Sequence, residues 1–109
     1  MTVQQMADRL SLTPLSVCEP DRTIDGVYIG DLLSWVMGRA KSDNAWITIM
    51  SNVNIVAVAT LADVACVILA EGVTLDESVK ATAGQKGVNV YSSDKTAYQL
   101  AASMAELLK

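Results

Sequence analysis

Histidine and phenylalanine are both absent from this sequence of 109 residues, and only 5% of its residues are aromatic. Without histidine the chain lacks the commonest general base and metal ligand, so Ser-His and Cys-His nucleophilic sites cannot form within it. A G-x-x-x-x-G-K-[ST] phosphate loop is also missing, which excludes a P-loop kinase or ATPase. We therefore predict no catalytic residues, no cofactor, no metal site and no enzymatic activity.

Because large aromatic side chains are scarce, the core must consist of Val, Ile, Leu, Ala and Met, which suit helices packed closely on a sheet. Hydrophobic residues make up 51% of the chain and charged residues 18%, as expected of a folded globule. The length predicts a single domain over residues 1–109. A mean hydropathy of +0.33 indicates apolar surface that a second copy or another protein covers.

Positive charge is also scarce, since eight basic residues face twelve acidic ones and the net charge is -4. The basic residues are scattered, so neither nucleic acid nor a membrane surface is expected as a partner. No apolar run reaches the ~18 residues of a membrane span. The first residues lack the features of a secretory signal, and Cys18 and Cys66 have no C-x-x-C spacing. The predicted location is cytoplasmic, with both thiols reduced.

Strand and helix patterns alternate along the chain. Strands are predicted over residues 15–18, 27–29, 45–50, 65–69 and 88–91. Helices are predicted from a Thr2 capping box to 10, from an Asp31 cap to 41, from Ser51-Asn52 over 53–62, from a capping box at 74–77 to Gly87, and from Ser93 or Asp94 to 108. Such βα repeats predict the α/β class: a three-layer α/β/α sandwich with a mainly parallel sheet of about five strands.

A turn, a strand and a helix start follow one another within residues 21–34, which begin with Asp21-Arg22-Thr23 and continue from Gly26 to Ser34. Together with the blocks at residues 46–48, 54–59 and 65–69, this segment resembles the DRTGG domain family, named for an Asp-Arg-Thr-Gly-Gly motif. The two glycines are not intact here, because Ile24-Asp25 intervene and only Gly26 stands in a comparable place.

The resemblance implies an α/β/α sandwich similar to the N-terminal domain of HPr kinase/phosphorylase. Domains of this family accompany CBS pairs in regulated pyrophosphatases, precede phosphotransacetylase catalytic domains, or occur alone. The resemblance therefore implies a regulatory or assembly role. It also makes an adenine nucleotide the first candidate ligand, because relatives stand beside nucleotide-sensing CBS domains.

Two interpretations of Arg22 stay open. Its guanidinium can bind an anion, because arginine forks well onto phosphate or carboxylate. Alternatively, Asp21 and Thr23 organise a turn through bonds to the backbone, and Arg22 pairs with an acidic neighbour. The second interpretation is favoured, since it is the ordinary behaviour of these residue types in turns.

Polar residues follow the predicted strands, and the ends of parallel strands meet at one edge of a sheet. Ligands of such sheets bind at this carboxyl edge. The candidate ligand-binding residues there are Gly30, Asp31, Thr48, Ser51, Asn52, Ser92 and Ser93, in addition to Arg22. The favoured alternative is that these residues are simply helix caps, which any α/β domain needs.

Apolar residues cover more than one side of the helix after Gly30, which is more than a helix on a sheet requires. Trp35 and Met37, with Val53 at the start of the next helix, are the candidate interface residues. The main hypothesis is a non-catalytic regulatory or interaction module that forms a homodimer. The alternatives are a nucleotide- or anion-binding sensor that acts on a partner enzyme and, as a third, a small transferase.

Overall fold

A single mixed sheet forms the middle layer of the computed structural model, which describes all residues from 1 to 109. Its strands are β1 (Thr13–Ser16), β2 (Gly26–Ile29), β3 (Asn44–Thr48), β4 (Cys66–Leu69) and β5 (Val90–Ser92). The order across the sheet is β1-β5-β4-β3-β2. Strands β2 to β5 are mutually parallel and β1 is antiparallel to β5, which confirms the predicted mainly parallel sheet of five strands.

Helices cover both faces of the sheet. They are α1 (Val3–Leu10), α2 (Leu33–Arg39), α3 (Asn54–Ala62), α4 (Glu77–Lys86) and α5 (Ala97–Leu107). One buried cluster joins α1 and α5 to one face, and a second joins α2, α3 and α4 to the other. The three-layer α/β/α sandwich is therefore confirmed. None of the helices is long and apolar enough to cross a bilayer.

The strand sequences account for this layering. Every residue of β4 is buried, and four of the five residues of β3 are buried, as expected for strands with helices on both sides. Alternate residues supply the two clusters: Ala45 and Ile47 pack toward α1 and α5, whereas Trp46 packs toward α2 and α3. Strands β3 and β4 thus contribute to both cores.

The start of the first helix and the end of the fourth follow their sequence signals. Thr2 accepts a hydrogen bond from the backbone N–H of Gln5, and the Gln5 side chain bonds back to Thr2, which completes the predicted capping box. Helix α4 ends at Gly87, whose φ of 72° lies in the left-handed region that glycine adopts easily.

Two predicted caps are corrected at the second and third helices. Asp31 does not cap α2; the N-cap is Leu32, because the Asp31 carboxylate is engaged by Thr48 and the backbone of Ile49. At α3 the N-cap is Val53, while the Asn52 side chain accepts only the N–H of Asn54 in a local turn.

The caps predicted for the last two helices are corrected as well. Asp76, not Thr74, is the N-cap of α4, and its side chain makes no capping bond. Leu75 is 5% exposed, so its burial directs the preceding chain toward the core. Helix α5 is capped by Thr96 in a full capping box with Gln99, three residues beyond the predicted Ser93.

Two strand bounds differ from the predicted ones because a side chain binds a backbone N–H group at the strand end. Strand β1 lies at Thr13–Ser16 and not at 15–18, since the N–H of Cys18 binds the Asn89 side chain instead of a strand. Strand β3 ends at Thr48 because the N–H of Ile49 donates to Asp31. Strand β5 begins at Val90, two residues later than expected.

Candidate functional site

The segment between β1 and β2 crosses the whole sheet at the edge where the parallel strands begin. We call residues 17–25 the strap and this edge the amino edge; the opposite one is the carboxyl edge. Because β1 and β2 are the two outer strands, the strap must pass below β5, β4 and β3 in turn. It contains the Asp-Arg-Thr motif that carries the family resemblance.

Asn89 fixes the first half of the strap from just before β5. Its side-chain oxygen accepts the N–H groups of Cys18 and Glu19 at 2.8 and 2.9 Å. Its amide nitrogen donates to the carbonyls of Glu19 and Ala65 at 2.9 and 3.0 Å. The residue is 2% exposed, so a fully satisfied buried amide joins the strap to the starts of β4 and β5.

Arg22 fixes the second half. Its Nε donates to Asp43 Oδ1 at 3.0 Å, and its Nη2 donates to Asp63 Oδ1 at 2.9 Å and to the Asp63 carbonyl. Ser42 donates to the other oxygen of Asp63 at 2.7 Å. Asp43 and Asp63 stand just before β3 and β4. The guanidinium therefore ties the strap to two strand starts, and its anion-binding role stays a prediction.

The ionisation of this cluster follows from its bonds. Partial burial alone lowers the pKa of Arg22, but the hydrogen bonds and charges of Asp43 and Asp63 outweigh it, and the pKa lies above its usual value. The bond from Ser42, followed by that from Arg22, holds the pKa of Asp63 below its usual value. Both charges are thus favoured in the folded state.

The N-terminus is also tied to the strap. Val3 donates its N–H to the Arg22 carbonyl at 2.8 Å, and Ile24 donates to the Met1 carbonyl at 2.9 Å. Thr2 and Thr23 form an isolated antiparallel bridge. The backbone of the Asp-Arg-Thr segment therefore holds the start of α1, while the Arg22 side chain points toward the strand starts.

An open cavity of about 650 Å³ lies along the strap. Its lining is polar and consists of Cys18, Glu19, Pro20, Asp21, Arg22, Ser42, Asp43 and Asp63. Four carboxylates against one guanidinium leave this amino-edge cavity with a formal charge of −3. Such a charge opposes the binding of phosphate groups here and favours cations.

At the carboxyl edge the structure brings three of the predicted site residues together. Asp31 Oδ1 accepts the Thr48 hydroxyl at 2.7 Å and the N–H of Ile49 at 2.9 Å. Thr48 and Ser92 both pair with Leu69, so they lie in one row across β3, β4 and β5. With strands spaced by about 4.8 Å, the Cα atoms of Thr48 and Ser92 are about 10 Å apart.

The remaining carboxyl-edge candidates differ in how far they are engaged. The Gly30 carbonyl accepts Trp46 Nε1 at 2.9 Å, and Ser93 Oγ accepts the N–H of Lys95 at 3.1 Å. Ser51 is exposed and Ser92 half-buried, and their hydroxyls stay free of protein partners. Among the eight predicted ligand residues, Arg22 alone lines a cavity.

The predicted interface residues are all half-exposed: Trp35 by 52%, Met37 by 48% and Val53 by 49%. Successive helical residues are rotated by about 100°, so Trp35 and Met37 project about 200° apart around α2 and do not form one patch. Arg39 stacks on the Trp35 ring at 3.6 Å from its centroid. Further exposed apolar side chains near the same helices and strand ends are Ile29, Leu32, Ile49 and Leu61.

A second cavity of about 450 Å³ separates α3 from α4 and is called the α3–α4 groove. Its lining is Val53, Asn54, Val56, Ala57, Thr60, Leu61, Thr82 and Lys86. The hydroxyls of Thr60 and Thr82 donate back to carbonyls of their own helices, to Val56 and Ser78. Their methyl groups therefore add to an apolar lining in which Lys86 is the one charge.

Sequence reasoning missed Asn89, Asp43 and Asp63. For Asn89 a signal is present, because it is a lone amide between Val88 and Val90 in an otherwise apolar run. Asp43 and Asp63 follow polar and helical segments and carry no comparable signal. Both adopt positive φ, 68° and 57°, a conformation that Asp tolerates better than most residues.

These features define a three-layer α/β/α domain whose amino edge is crossed by a strap and whose carboxyl edge carries Asp31, Thr48 and Ser92. The DRTGG domain family model matches residues 17–107, and the chain belongs to this family. The matched range includes the strap and all four parallel strands. No curated protein matches the sequence.

A crystal structure of the CBS and DRTGG domains of the regulatory region of Clostridium perfringens pyrophosphatase, complexed with the activator diadenosine tetraphosphate, is similar in fold. The TM-score is 0.72 at 14% sequence identity. The match covers 93% of this chain and 44% of the other, so this chain spans less than half of that protein's length.

Proposed function

We propose that this chain is a cytoplasmic, non-catalytic regulatory module that self-associates as a homodimer and acts on a partner enzyme. The observation that carries the proposal is the DRTGG match over residues 17–107, together with a fold shared with the regulatory region of a pyrophosphatase. The strap also supports a non-catalytic role. The guanidinium of Arg22 donates hydrogen bonds to Asp43 and Asp63 and so has a structural task in the strap.

Self-association is supported by the exposed apolar residues of the β2–α2–β3–α3 half, above all Leu32 and Trp35, which are 58% and 52% exposed. Large apolar side chains that are exposed together on one side of a molecule mark interaction surfaces. Trp35 is the natural anchor, since tryptophan is enriched among the residues that dominate binding energy.

Multi-angle light scattering over a wide concentration range tests the homodimer. The wild type should have the mass of two chains, and Trp35→Ser should shift it toward one. Tyr98→Ser is the matched control, because Tyr98 is 81% exposed on α5, on the other face of the sheet, and should leave the mass unchanged. A wild type that stays monomeric at every concentration contradicts the proposal.

A second candidate function is the sensing of a small anionic or nucleotide ligand at the carboxyl edge. It is favoured by the free hydroxyl of Ser92, which lies in one row with Thr48, by that of Ser51 just after β3, and by the nucleotide activator bound to the pyrophosphatase regulatory region. The amino-edge cavity is the poorer place for such a ligand, because its acidic lining repels phosphate.

Thermal-shift measurements with diadenosine tetraphosphate, AMP, ATP and inorganic phosphate test the sensor. At least one of these probes should raise the melting temperature, since a ligand that binds only the folded state stabilises it. The double variant Ser51→Ala, Ser92→Ala should reduce that shift, whereas Ser103→Ala on α5 should not. If none of the four probes changes the wild-type melting temperature, the sensor function is wrong.

A further inference from the structure

The three cavities of the molecule adjoin one another, because they share lining residues. A small cavity of about 90 Å³ shares Thr60 and Lys86 with the α3–α4 groove, and it shares Glu19, Arg22 and Asp63 with the amino-edge cavity. The three cavities therefore adjoin one another along α3 and the strap, and together they form one interrupted surface cleft. We call it the α3–strap cleft.

The character of the α3–strap cleft changes along its length. The α3–α4 groove is apolar, with Val53, Ala57 and Leu61 along its α3 side. The junction contains Glu19 and Asp63 against Arg22 and Lys86, so its charges balance. The amino-edge cavity beyond it carries a formal charge of −3. An occupant that matches the cleft is apolar at one end and positively charged at the other.

We propose that the α3–strap cleft is a docking site for an extended segment of the partner protein, with aliphatic residues at one end and lysine or arginine residues at the other. This inference rests on the proposed regulatory function, because it describes how a partner enzyme is held. The aliphatic side chains enter the α3–α4 groove, and the basic side chains face Glu19 and Asp21 at the strap.

The dimensions agree with such a segment. Helix α3 and its N-cap rise by about 15 Å at about 1.5 Å per residue, which corresponds to about five residues of extended chain. Ala57 and Thr60 are small, so a peptide backbone can approach α3 closely. Lys86 has no ion-pair partner within the chain and can donate to a carbonyl of the bound segment at the junction.

A second copy of this chain is the poorer occupant. The chain has a net charge of -4, and its apolar segment with basic residues beside it, residues 32–41, forms helix α2 and is not available as an extended strand. Charge complementarity across an interface selects partners by sign. The acidic end of the cleft therefore points to a different, basic segment.

Fluorescence anisotropy with two labelled synthetic peptides tests the proposal. The first peptide has the sequence Leu-Ala-Leu-Ala-Leu-Gly-Lys-Arg-Lys, and the second has Glu-Asp-Glu in place of the basic residues. The first peptide should bind, and its affinity should fall as salt is added. The second peptide should bind at least about tenfold more weakly. Amide chemical-shift changes on the wild type should fall on α3, α4 and the strap.

Two variants and two matched controls locate the site. Asp21→Lys reverses an exposed charge at the acidic end, and Ala57→Trp fills the groove. Each substitution should lower the affinity for the basic peptide by about tenfold or more. Asp94→Lys at the carboxyl edge and Ala102→Trp on α5 change equally exposed positions away from the cleft and should leave binding unchanged. Thermal denaturation establishes that the variants are folded.

Several results overturn the proposal: no binding of the basic peptide, equal binding of both peptides, shift changes away from the cleft, or equal losses in the control variants. Light scattering on the same samples keeps the two ideas apart. If Ala57→Trp changes the mass of the protein and not its peptide affinity, the groove is a contact between copies and the docking proposal is wrong. If peptide binding fails while the homodimer persists, only the docking site is lost.

Discussion

Asn89 is a single amide on which three segments of the chain depend. It satisfies the N–H groups of Cys18 and Glu19 and the carbonyls of Glu19 and Ala65, which are partly or fully shielded from water. Leaving buried polar groups unpaired costs more than a hydrogen bond contributes, typically about 1–3 kcal/mol for each group. Asn89 is therefore expected to contribute strongly to the stability of the fold.

Replacing Asn89 by alanine should lower the free energy of unfolding by about 3 kcal/mol or more, since several backbone groups lose their partner at once. Urea denaturation measures this loss. Asn52→Ala is the matched control: its one exposed bond to Asn54 should account for no more than about 1 kcal/mol. Equal effects of the two substitutions would contradict the role assigned to Asn89.

Asp63 links the stability of the strap to pH. Because its pKa is lowered in the folded protein by the Ser42 hydroxyl and by Arg22, the folded state binds the proton more weakly than the unfolded chain does. The stabilisation is therefore fully present above the unfolded pKa of about 4 and is lost as the pH falls toward the folded pKa.

Asp63→Asn should remove this contribution while keeping the backbone, since asparagine tolerates the φ of 57° at this position. In urea titrations the variant should be less stable than the wild type at about pH 6, and the difference should shrink as the pH falls below about 4. A difference that is the same at every pH would show that the Asp63 charge contributes nothing.

Among the elements, those with a local cause follow the sequence closely. The capping box at Thr2, the left-handed cap at Gly87 and the apolar run of β4 all appear where their residues predict them. The helix starts predicted at Asp31 and Thr74 were wrong because of tertiary contacts. The Asp31 carboxylate accepts a hydrogen bond from Thr48, and Leu75 is buried in the core. A cap is a weak local preference that a bond or a buried side chain from elsewhere overrides.

Helix α4 offers a matched pair of glycines. At both Gly84 and Gly87, no atom lies within 4 Å of the place that an added Cβ would take, so neither substitution causes a clash. They differ in backbone conformation, because Gly84 lies within the helix and Gly87 has a φ of 72°.

Gly84→Ala should therefore raise the free energy of unfolding by about 0.5–1 kcal/mol, since alanine loses less conformational entropy in a helix. Gly87→Ala should lower it by about 1 kcal/mol, because a side chain is strained in the left-handed region. Thermal and urea denaturation of the two variants check the opposite signs. A destabilising Gly84→Ala would mean that α4 needs a glycine there for another reason.

For the whole molecule, the number of strands and the two helical layers are predictable, but the place of β1 is not. Its residues give no indication that Thr13 pairs with Ser92 in an antiparallel sense. The strap path follows from that pairing, and so does the meeting of Arg22 with Asp43 and Asp63. The carboxyl edge was predictable because it follows from parallel strands alone, whereas the amino edge depends on the full chain topology.

The two cysteines differ in how deeply they are buried. Cys66 is fully buried in β4, and burial raises its pKa to about 12, so its thiolate is scarce at neutral pH. Cys18 lies on the strap and lines the amino-edge cavity.

Ellman's reagent at about pH 8 should therefore modify Cys18 in the folded protein and Cys66 only at the rate of global unfolding. The Cys18→Ser and Cys66→Ser variants assign the two phases, and urea should accelerate the Cys66 phase alone at low concentrations. Simultaneous modification of both thiols would show that the strap opens only when the whole sheet unfolds.

The path of the strap also bears on how the chain is assembled. Its residues are made early, yet their anchors at Asp43, Asp63 and Asn89 are made progressively later, and the last one precedes the final strand. Contacts between such distant parts of a chain close slowly, because the loop entropy must be overcome before any of them forms. During synthesis on the ribosome, the strap therefore lacks its Asn89 anchor until that residue has been made.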